Sequence, residues 1–338
     1  MRILLWHVHG GYSDSLAHLG HEMCFLSGDP ADRPGRRLRD PGWPASASYV
    51  RPEEMRREPP DLVLIQRLEE IEQCTRLLGR RPGRDLPAIF LEHNTPRAEV
   101  PNSLHPLADA PEWLVVHVSH FNHLFWDCGR TPTVVVEHGV PDPGPGYTGD
   151  LRRQAFVVNE PVRRWRVTGS DLLPRFDAGP VDAYGIDGDR LPAALGPAGP
   201  HVAFAGNVDP ESLLADLARR RLYLHLNRWT SLGLSLLQAM HLGLPVVVLA
   251  TTEAVAAVPP EAGAISTDVD RLSREARLLL DDPAEAARRG RIAREAVLAR
   301  YGLDRFLTDW QQAIEETMAR WRRRVRVGAR RDAAAVRA

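Results

Sequence analysis

Apolar positions along the chain fall into short runs rich in Val, Ile and Leu. In the first half these are ILLWHV (3–8), MCFLS (23–27), DLVLIQ (61–66), AIFLE (88–92), WLVVHVS (113–119) and TVVVEH (133–138). Their apolar residues are consecutive rather than alternate, the pattern of strands covered on both faces in a parallel sheet. The stretch 28–60, heavy in Pro, Arg and Asp, reads as surface loop. PDPGPGYTGD (141–150), with three prolines and three glycines, marks a linker. A second series follows: QAFVVN (154–159), VDAYGI (181–186), HVAFAG (201–206), RLYLHL (221–226) and LPVVVLA (244–250). Helical patterns at 211–220, 233–242, 269–281 and 283–300 intervene or follow. The alternation predicts an α/β protein of two doubly wound domains, 1–145 and 151–302, with ligands outside the carboxyl ends of the strands in the cleft between them. Residues 303–321 form an amphipathic pattern with Phe306, Leu307, Trp310, Ile314, Met318 and Trp321 on one side, a face that needs a partner. Residues 322–338 lack that periodicity and are expected to be a disordered tail.

Composition narrows the chemistry. In 338 residues, 43 basic side chains face 44 acidic ones, a net charge of -1, so no overall field favours nucleic acid or anionic lipid. Every basic residue is arginine, since the sequence contains no lysine. Schiff-base aldolases, pyridoxal-phosphate enzymes and Walker-type P-loops all need an amine that is absent here. Arginine clamps phosphate or carboxylate but does not serve as a base. Cys24, Cys74 and Cys128 lie far apart with no Cys-x-x-Cys pair, which fits a reduced, cytoplasmic compartment. MRILLWHVHGG reads as a first strand rather than a signal peptide, and no stretch approaches the ~20 apolar residues of a transmembrane segment.

The most informative stretch is RWTSLGLSLLQAMHLGLPVVVLATTEAV (228–255). A strand ends near Asn227, a turn holds Thr230, Ser231, Leu232 and Gly233, and a helix runs to Met240 or His241 before Gly243. Thr230 or Ser231 is expected to cap that helix. A helix start after a strand offers N–H groups and a positive dipole end to a phosphate or sugar hydroxyl, and equally suits an ordinary core helix. His117, His120 and His123 suggest a metal site, but they straddle a strand and the turn or helix after it, so none is expected. HVHGGYSD lacks the Gly-x-Gly-x-x-Gly of a nicotinamide-binding domain.

The order of segments resembles the family 4 glycosyltransferases of the GT-B fold. In them a Gly-containing turn, a Leu-rich helix ending in Ala-Met and Gly-x-Pro-Val-Val follow one another, as in 228–255. HVHGG (7–11), LEHNTP (91–96), VVHVSHFN (115–122), VVVEHGVPD (134–142) and VAFAGNV (202–208) fall where that family has its other motifs, so the likeness spans about residues 1–320. It implies two Rossmann-like domains facing a cleft, the first on the acceptor side and the second binding the nucleotide sugar, with the last helix crossing back to the first. It implies transfer of a sugar from a nucleotide diphosphate donor to a hydroxyl of a small-molecule, lipid or glycan acceptor. Retention of configuration is implied too, with no metal and no cofactor besides the donor as co-substrate. Asp187-Gly188-Asp189 resembles the Asp-x-Asp of metal-dependent transferases, but that motif belongs to another fold and here reads as a turn.

Carried over residue by residue, the resemblance puts His93 at the reacting centre. Gly10 and Gly11 would let the backbone approach donor phosphate and acceptor, and Asn207 and Val208 would border the base. The donor would lie along Thr230, Ser231, Leu232 and Gly233 to Gln238. Two departures stand out. Thr168 precedes Gly169 where the family has its phosphate lysine, so the cationic role would pass to Arg163, Arg164 or Arg166. Thr230 and Gln238 replace the family's two glutamates, with Glu253 a candidate substitute. These replacements leave a second expectation beside the enzyme: a catalytically weak or inactive nucleotide-sugar-binding or accessory protein of the same fold.

Overall fold

The computed structural model describes residues 1–8, 10–26 and 40–335, with side chains described as far as residue 327. It divides into two compact units, one of Met1–Gly139 with Leu303–Ala338, the other of Val140–Gly302. The first holds a seven-stranded sheet of β1 (Arg2–Trp6), β2 (Glu22–Leu26), β3 (Ala47–Val50), β4 (Leu62–Ile65), β5 (Ala88–Glu92), β6 (Leu114–His117) and β7 (Thr133–Val135), in the order β3-β2-β1-β4-β5-β6-β7. The second holds six strands, β8 (Leu151–Val157), β9 (Val181–Tyr184), β10 (Val202–Gly206), β11 (Arg220–His225), β12 (Val246–Leu249) and β13 (Gly263–Ser266), in the order β10-β9-β8-β11-β12-β13. All strand pairs in both sheets are parallel.

The consecutive apolar runs reflect burial on two faces. In the second unit Leu222, Leu224, Val247 and Leu249 pack on one side of the sheet, while Tyr223, Val246 and Val248 pack on the other with the helix Leu234–Leu242. Each such side chain contributes about 2 kcal/mol by leaving water, which selects consecutive apolar residues in these strands. All three cysteines are buried and free. Among the described residues no helix is long and apolar enough to cross a membrane.

Four expectations differ. The stretch 28–60 contains β3 and a short helix, Pro52–Arg57, while its residues 28–39 lie outside the described ones. β3 is an edge strand of four residues, and its extended form is set by pairing with β2 rather than by its own weak pattern. β13 has no apolar run of its own either. A Cβ on Gly263 would come within 1.8 Å of the Val246 carbonyl oxygen, so glycine is what lets this edge strand lie against β12.

The predicted linker is part of the second unit, since the division falls at Gly139 and Val140. The N–H groups of Gly146 and Tyr147 donate to Leu242 O (3.2 and 3.0 Å), and that of Thr148 donates to Ala218 O (2.8 Å). These carbonyls close the helices Leu234–Leu242 and Pro210–Arg219, whose last turns lack intrahelical donors, so the proline-stiffened strap satisfies them. Asp142 adds paired bonds from Arg294 (2.8 and 2.7 Å), which hold its carboxyl below the usual range.

The last helix runs Leu303–Ala335, well past 321. Residues 322–335, expected as a disordered tail, continue it, and 336–338 lie outside the described residues. Arg and Ala are strong helix formers, and Arg324 both stacks on Trp321 (4.6 Å to the ring centre) and donates to Gly83 O. The helix joins the first unit through buried Phe306, Trp310 and Ile314.

Candidate functional site

In the first unit strand order reverses between β1 and β4, so the connections leaving these two strands diverge and open a crevice at their carboxyl ends. Gly10 and Gly11 follow β1 and begin the helix Gly10–Ala17. A Cβ on Gly10 would meet nothing within 4 Å, so the protein's own packing does not require glycine there. His93 follows β5, the neighbour of β4, and is half-buried.

Its partner is Gln66, a buried residue at the end of β4 that the sequence reading passed over. Gln66 Nε2 donates to Trp6 O (2.8 Å), and Oε1 faces His93 Nε2 (2.9 Å). A carbonyl oxygen only accepts, which orients the amide; Oε1 also only accepts, so His93 Nε2 carries a proton. The Gln66 N–H in turn donates to Glu70 Oε2 (2.7 Å). Burial pushes the Glu70 carboxyl up to about 7, against the backbone N–H groups of Gln66 and Arg67 that favour its charged form. Tyr12 presents its ring edge-to-face with His93 (4.8 Å), His138 (5.4 Å) and Phe306 (5.3 Å), and its hydroxyl accepts from Trp310 Nε1 (3.2 Å). The helix that starts at Gly10 thus braces His93 and anchors the terminal helix. The one available signal for Gln66 was a polar residue closing an otherwise apolar run.

In the second unit the reversal falls between β8 and β11. The segments after these strands are stitched together: the Arg228 N–H donates to Val167 O (2.8 Å), and its guanidinium reaches Arg166 O (2.8 Å) and both Asp171 oxygens (2.6 and 2.9 Å). Gly169 is required at this junction, because at φ +75° a Cβ would lie 2.0 Å from Leu226 O. Thr168, at the expected lysine position, is fully buried and hydrogen-bonded to Ser170 (2.9 Å), so its side chain belongs to the core. Arg163 is exposed and pairs with Glu160, with Nε at 2.6 Å from Oε1. Arg166 reaches Asp171 at 3.3 Å. Arg164 precedes the short helix Trp165–Thr168. Arg228, which the sequence reading did not single out, is the arginine that links the two loops.

The helix Leu234–Leu242 is capped by Gly233 with no side-chain hydrogen bond, not by Thr230 or Ser231. A Cβ on Gly233 would sit 2.8 Å from Cε1 of buried His225, so glycine is what fits where the helix starts, two or three residues later than local capping chemistry suggests. Burial holds the His225 ring down at about 4. Ser231 is buried and its carbonyl accepts the Glu253 N–H (3.3 Å), while Thr251 Oγ1 donates to Asn227 O (2.5 Å). Segments after β8, β11 and β12 therefore meet at one edge. There Thr230 Oγ1 and Asn227 Oδ1 are shielded from solvent without a hydrogen-bond partner among the described residues. Leu232 is buried and Gln238 half-buried. Glu253 is buried, 4% exposed, and its carboxylate takes Arg300 at 3.3 Å.

Asn207 and Val208 stand exposed after β10, two strands from β8. The turns interlock through Gly185 N–H to Gly206 O (3.1 Å) and Glu160 N–H to Ile186 O (2.7 Å). Asp187 opens a short 3-10 turn, Gly188–Arg190. His117 and His123 do approach across the strand break, edge-to-face at 5.4 Å, and burial presses His117 down to about 3. Among the described residues no three His, Cys, Asp or Glu side chains are placed to hold a metal ion.

Residues 194–296 match the family model described as "Glycosyl transferases group 1". No curated protein matches the chain. Among solved structures, sucrose-phosphate synthase from Thermosynechococcus elongatus is similar over 94% of this chain and 99% of its own, with 17% identity and a TM-score of 0.74. A glycosyltransferase from Rickettsia africae covers 94% and 98% at 11% identity and TM-score 0.67. HepE of Anabaena, solved in complex with UDP, covers 94% and 100% at 13% identity and TM-score 0.64. The two parallel-sheet units have the GT-B glycosyltransferase fold.

Proposed function

We propose that this protein is a glycosyltransferase that moves a sugar from a nucleoside diphosphate donor to an acceptor hydroxyl, with retention and without a metal. The observation that carries the reading is the second unit's reversal between β8 and β11, where the group 1 match begins before and ends after the Thr230–Gln238 segment and two shielded polar atoms stand ready for a ligand. The donor would lie between Arg163, Arg164 and Arg166, the Asn207–Val208 turn, and the run from Thr230, Ser231, Leu232 and Gly233 to Gln238. The start of Leu234–Leu242, which has no side-chain cap, would offer N–H groups to the diphosphate. With Thr168 in the core, arginine would supply the positive charge for the leaving group, and Arg228, which ties the two loops together, joins Arg163, Arg164 and Arg166 as a candidate. Gln238 would bind the ribose hydroxyls without charge. Acceptor and donor sugar would meet His93, whose Nε2–H is held by Gln66, beside Gly10 and Gly11. HepE's complex with UDP supports a uridine donor among the candidates.

One observation favours the alternative, a weak or inactive binding protein. Thr230 and Gln238 lack carboxylates, and Glu253 is already paired with Arg300, so it does not restore the missing charge. Calorimetry with UDP, GDP, ADP and dTDP, paired with nucleotide release from the matching donors, separates the two. Binding plus release that His93→Ala lowers at least ten-fold, with donor affinity kept, is the enzyme's signature. Tight binding without release across many acceptors would establish the alternative, and no nucleotide binding refutes both.

A further inference from the structure

A cavity of about 270 Å³ lies in the first unit where the terminal helix crosses the amino ends of β5 and β6. His93 follows the other end of β5, about 13 Å away along a five-residue strand, so this cavity is separate from the candidate transfer site. Its walls carry Arg320, Arg323 and Arg324, two indoles, Trp113 and Trp321, and one acid, Glu112. Among the described residues Arg320 has a long contact to Glu316 (3.8 Å) and a bond to Pro111 O (3.0 Å). Arg324 bonds to Gly83 O and lies on Trp321, and neither it nor Arg323 makes an ion pair among the described residues. Burial lowers the affinity of the Arg324 guanidinium for its proton, Glu112 opposes that shift, and repulsion from Arg320 adds a smaller part to it. Three guanidinium groups against one carboxylate leave this lining positive beside apolar walls, and an anion neutralises the excess.

We propose that this cavity is a binding site for a phosphate monoester. Three planar forks matched to phosphate oxygens suit a dianion better than a single carboxylate, and the indole and proline walls suit a compact organic body attached to it. The site is independent of the transfer reading, since it shares no residue with it.

The test titrates the full chain with glycerol 3-phosphate, inorganic phosphate and vesicles of phosphatidic acid in phosphatidylcholine, at constant ionic strength, by calorimetry and by quenching of tryptophan fluorescence. Saturable glycerol 3-phosphate binding is expected, weakened about ten-fold by Arg323→Gln and by Arg324→Gln, with His93→Ala unchanged. Arg323 is exposed and makes no hydrogen bond or ion pair among the described residues, so Arg323→Gln should fold normally and keeps the test decisive if Arg324→Gln does not. Trp321→Phe should remove most of the quenching and keep the calorimetric heat. Absence of saturable binding, or equal affinity in Arg323→Gln, overturns the site. Binding to the anionic vesicles but not to the soluble ester overturns the soluble ligand in favour of a lipid headgroup.

Discussion

Gln66→Leu is the perturbation that tests how His93 is held. It removes the donor to Trp6 O at 2.8 Å and the acceptor for His93 Nε2 at 2.9 Å while nearly keeping the side-chain volume. Trp6 is buried, so its carbonyl is left without a partner at a cost of about 1–3 kcal/mol. His93 is half-buried and its N–H reaches water at smaller cost, so the expected loss is about 2–3 kcal/mol, which a unit of ordinary stability survives. Urea unfolding reads that loss. Two-bond 1H–15N correlation spectra of histidine-labelled protein read the second consequence directly: the wild type shows His93 protonated at Nε2, and the Leu variant a mixture of tautomers. Gln66→Glu separates the two effects, because it keeps an acceptor for His93 and lacks a donor for Trp6 O. It should restore the tautomer without restoring full stability. A His93 that stays wholly Nε2-protonated in Gln66→Leu, with stability within ~0.5 kcal/mol of wild type, would refute the argument.

Glu70 supplies a pH signature. Its folded value is raised from 4.5 to about 7, so its protonated form is favoured by folding; the contribution is complete below 4.5 and is lost as pH rises through 7. Wild type should lose up to about 3 kcal/mol from this group between pH 4.5 and pH 8, and Glu70→Gln should remove that part of the slope in urea titrations run at each pH. Two glycines contrast sharply. Gly169→Ala forces a Cβ to 2.0 Å from Leu226 O and should cost more than ~3 kcal/mol or prevent folding of the second unit, as circular dichroism melts will show. Gly10→Ala meets no atom within 4 Å, so its melt should stay within about 0.5 kcal/mol of wild type, while transfer activity falls if a ligand approaches that backbone. Asp171→Ala strips the bidentate partner from Arg228 and should destabilise the second unit by about 1–3 kcal/mol, with Arg166 and Arg228 then binding added phosphate more tightly in calorimetry.

The central strands were legible because a parallel sheet covered on both faces selects runs of consecutive apolar residues. LPVVVLA places Val246 and Val248 on one face and Val247 and Leu249 on the other, so hydrophobicity alone marked it. The positions of Gly10, His93 and Thr230 were legible for a related reason: each follows an apolar run, and in a doubly wound sheet run ends are loop starts. Edge strands were not. AlaSerTyrVal and GlyAlaIleSer lack an apolar run, and their form comes from pairing with β2 and β12. Capping also misled, since local preference favours Thr230 or Ser231, while the ring of His225, packed from a strand residue eight positions before Gly233, leaves room there only for glycine. The linker's prolines and glycines correctly signalled an irregular path and gave no hint that its N–H groups finish two distant helices.

By itself the chain determined its class of architecture and the absence of lysine chemistry, because strand burial and side-chain inventory are properties of composition and order. Only the tertiary structure decided which arginine joins the second unit's loops, that Thr168 points into the core, that Glu253 is spoken for by Arg300, and that Gln66 fixes the proton on His93. Those outcomes depend on pairs of residues separated by tens of positions, such as Gln66 and His93 or Asp171 and Arg228. Hydrogen bonds and ion pairs of that kind form only after strand order has brought the partners within about 3 Å, and no local pattern encodes that distance.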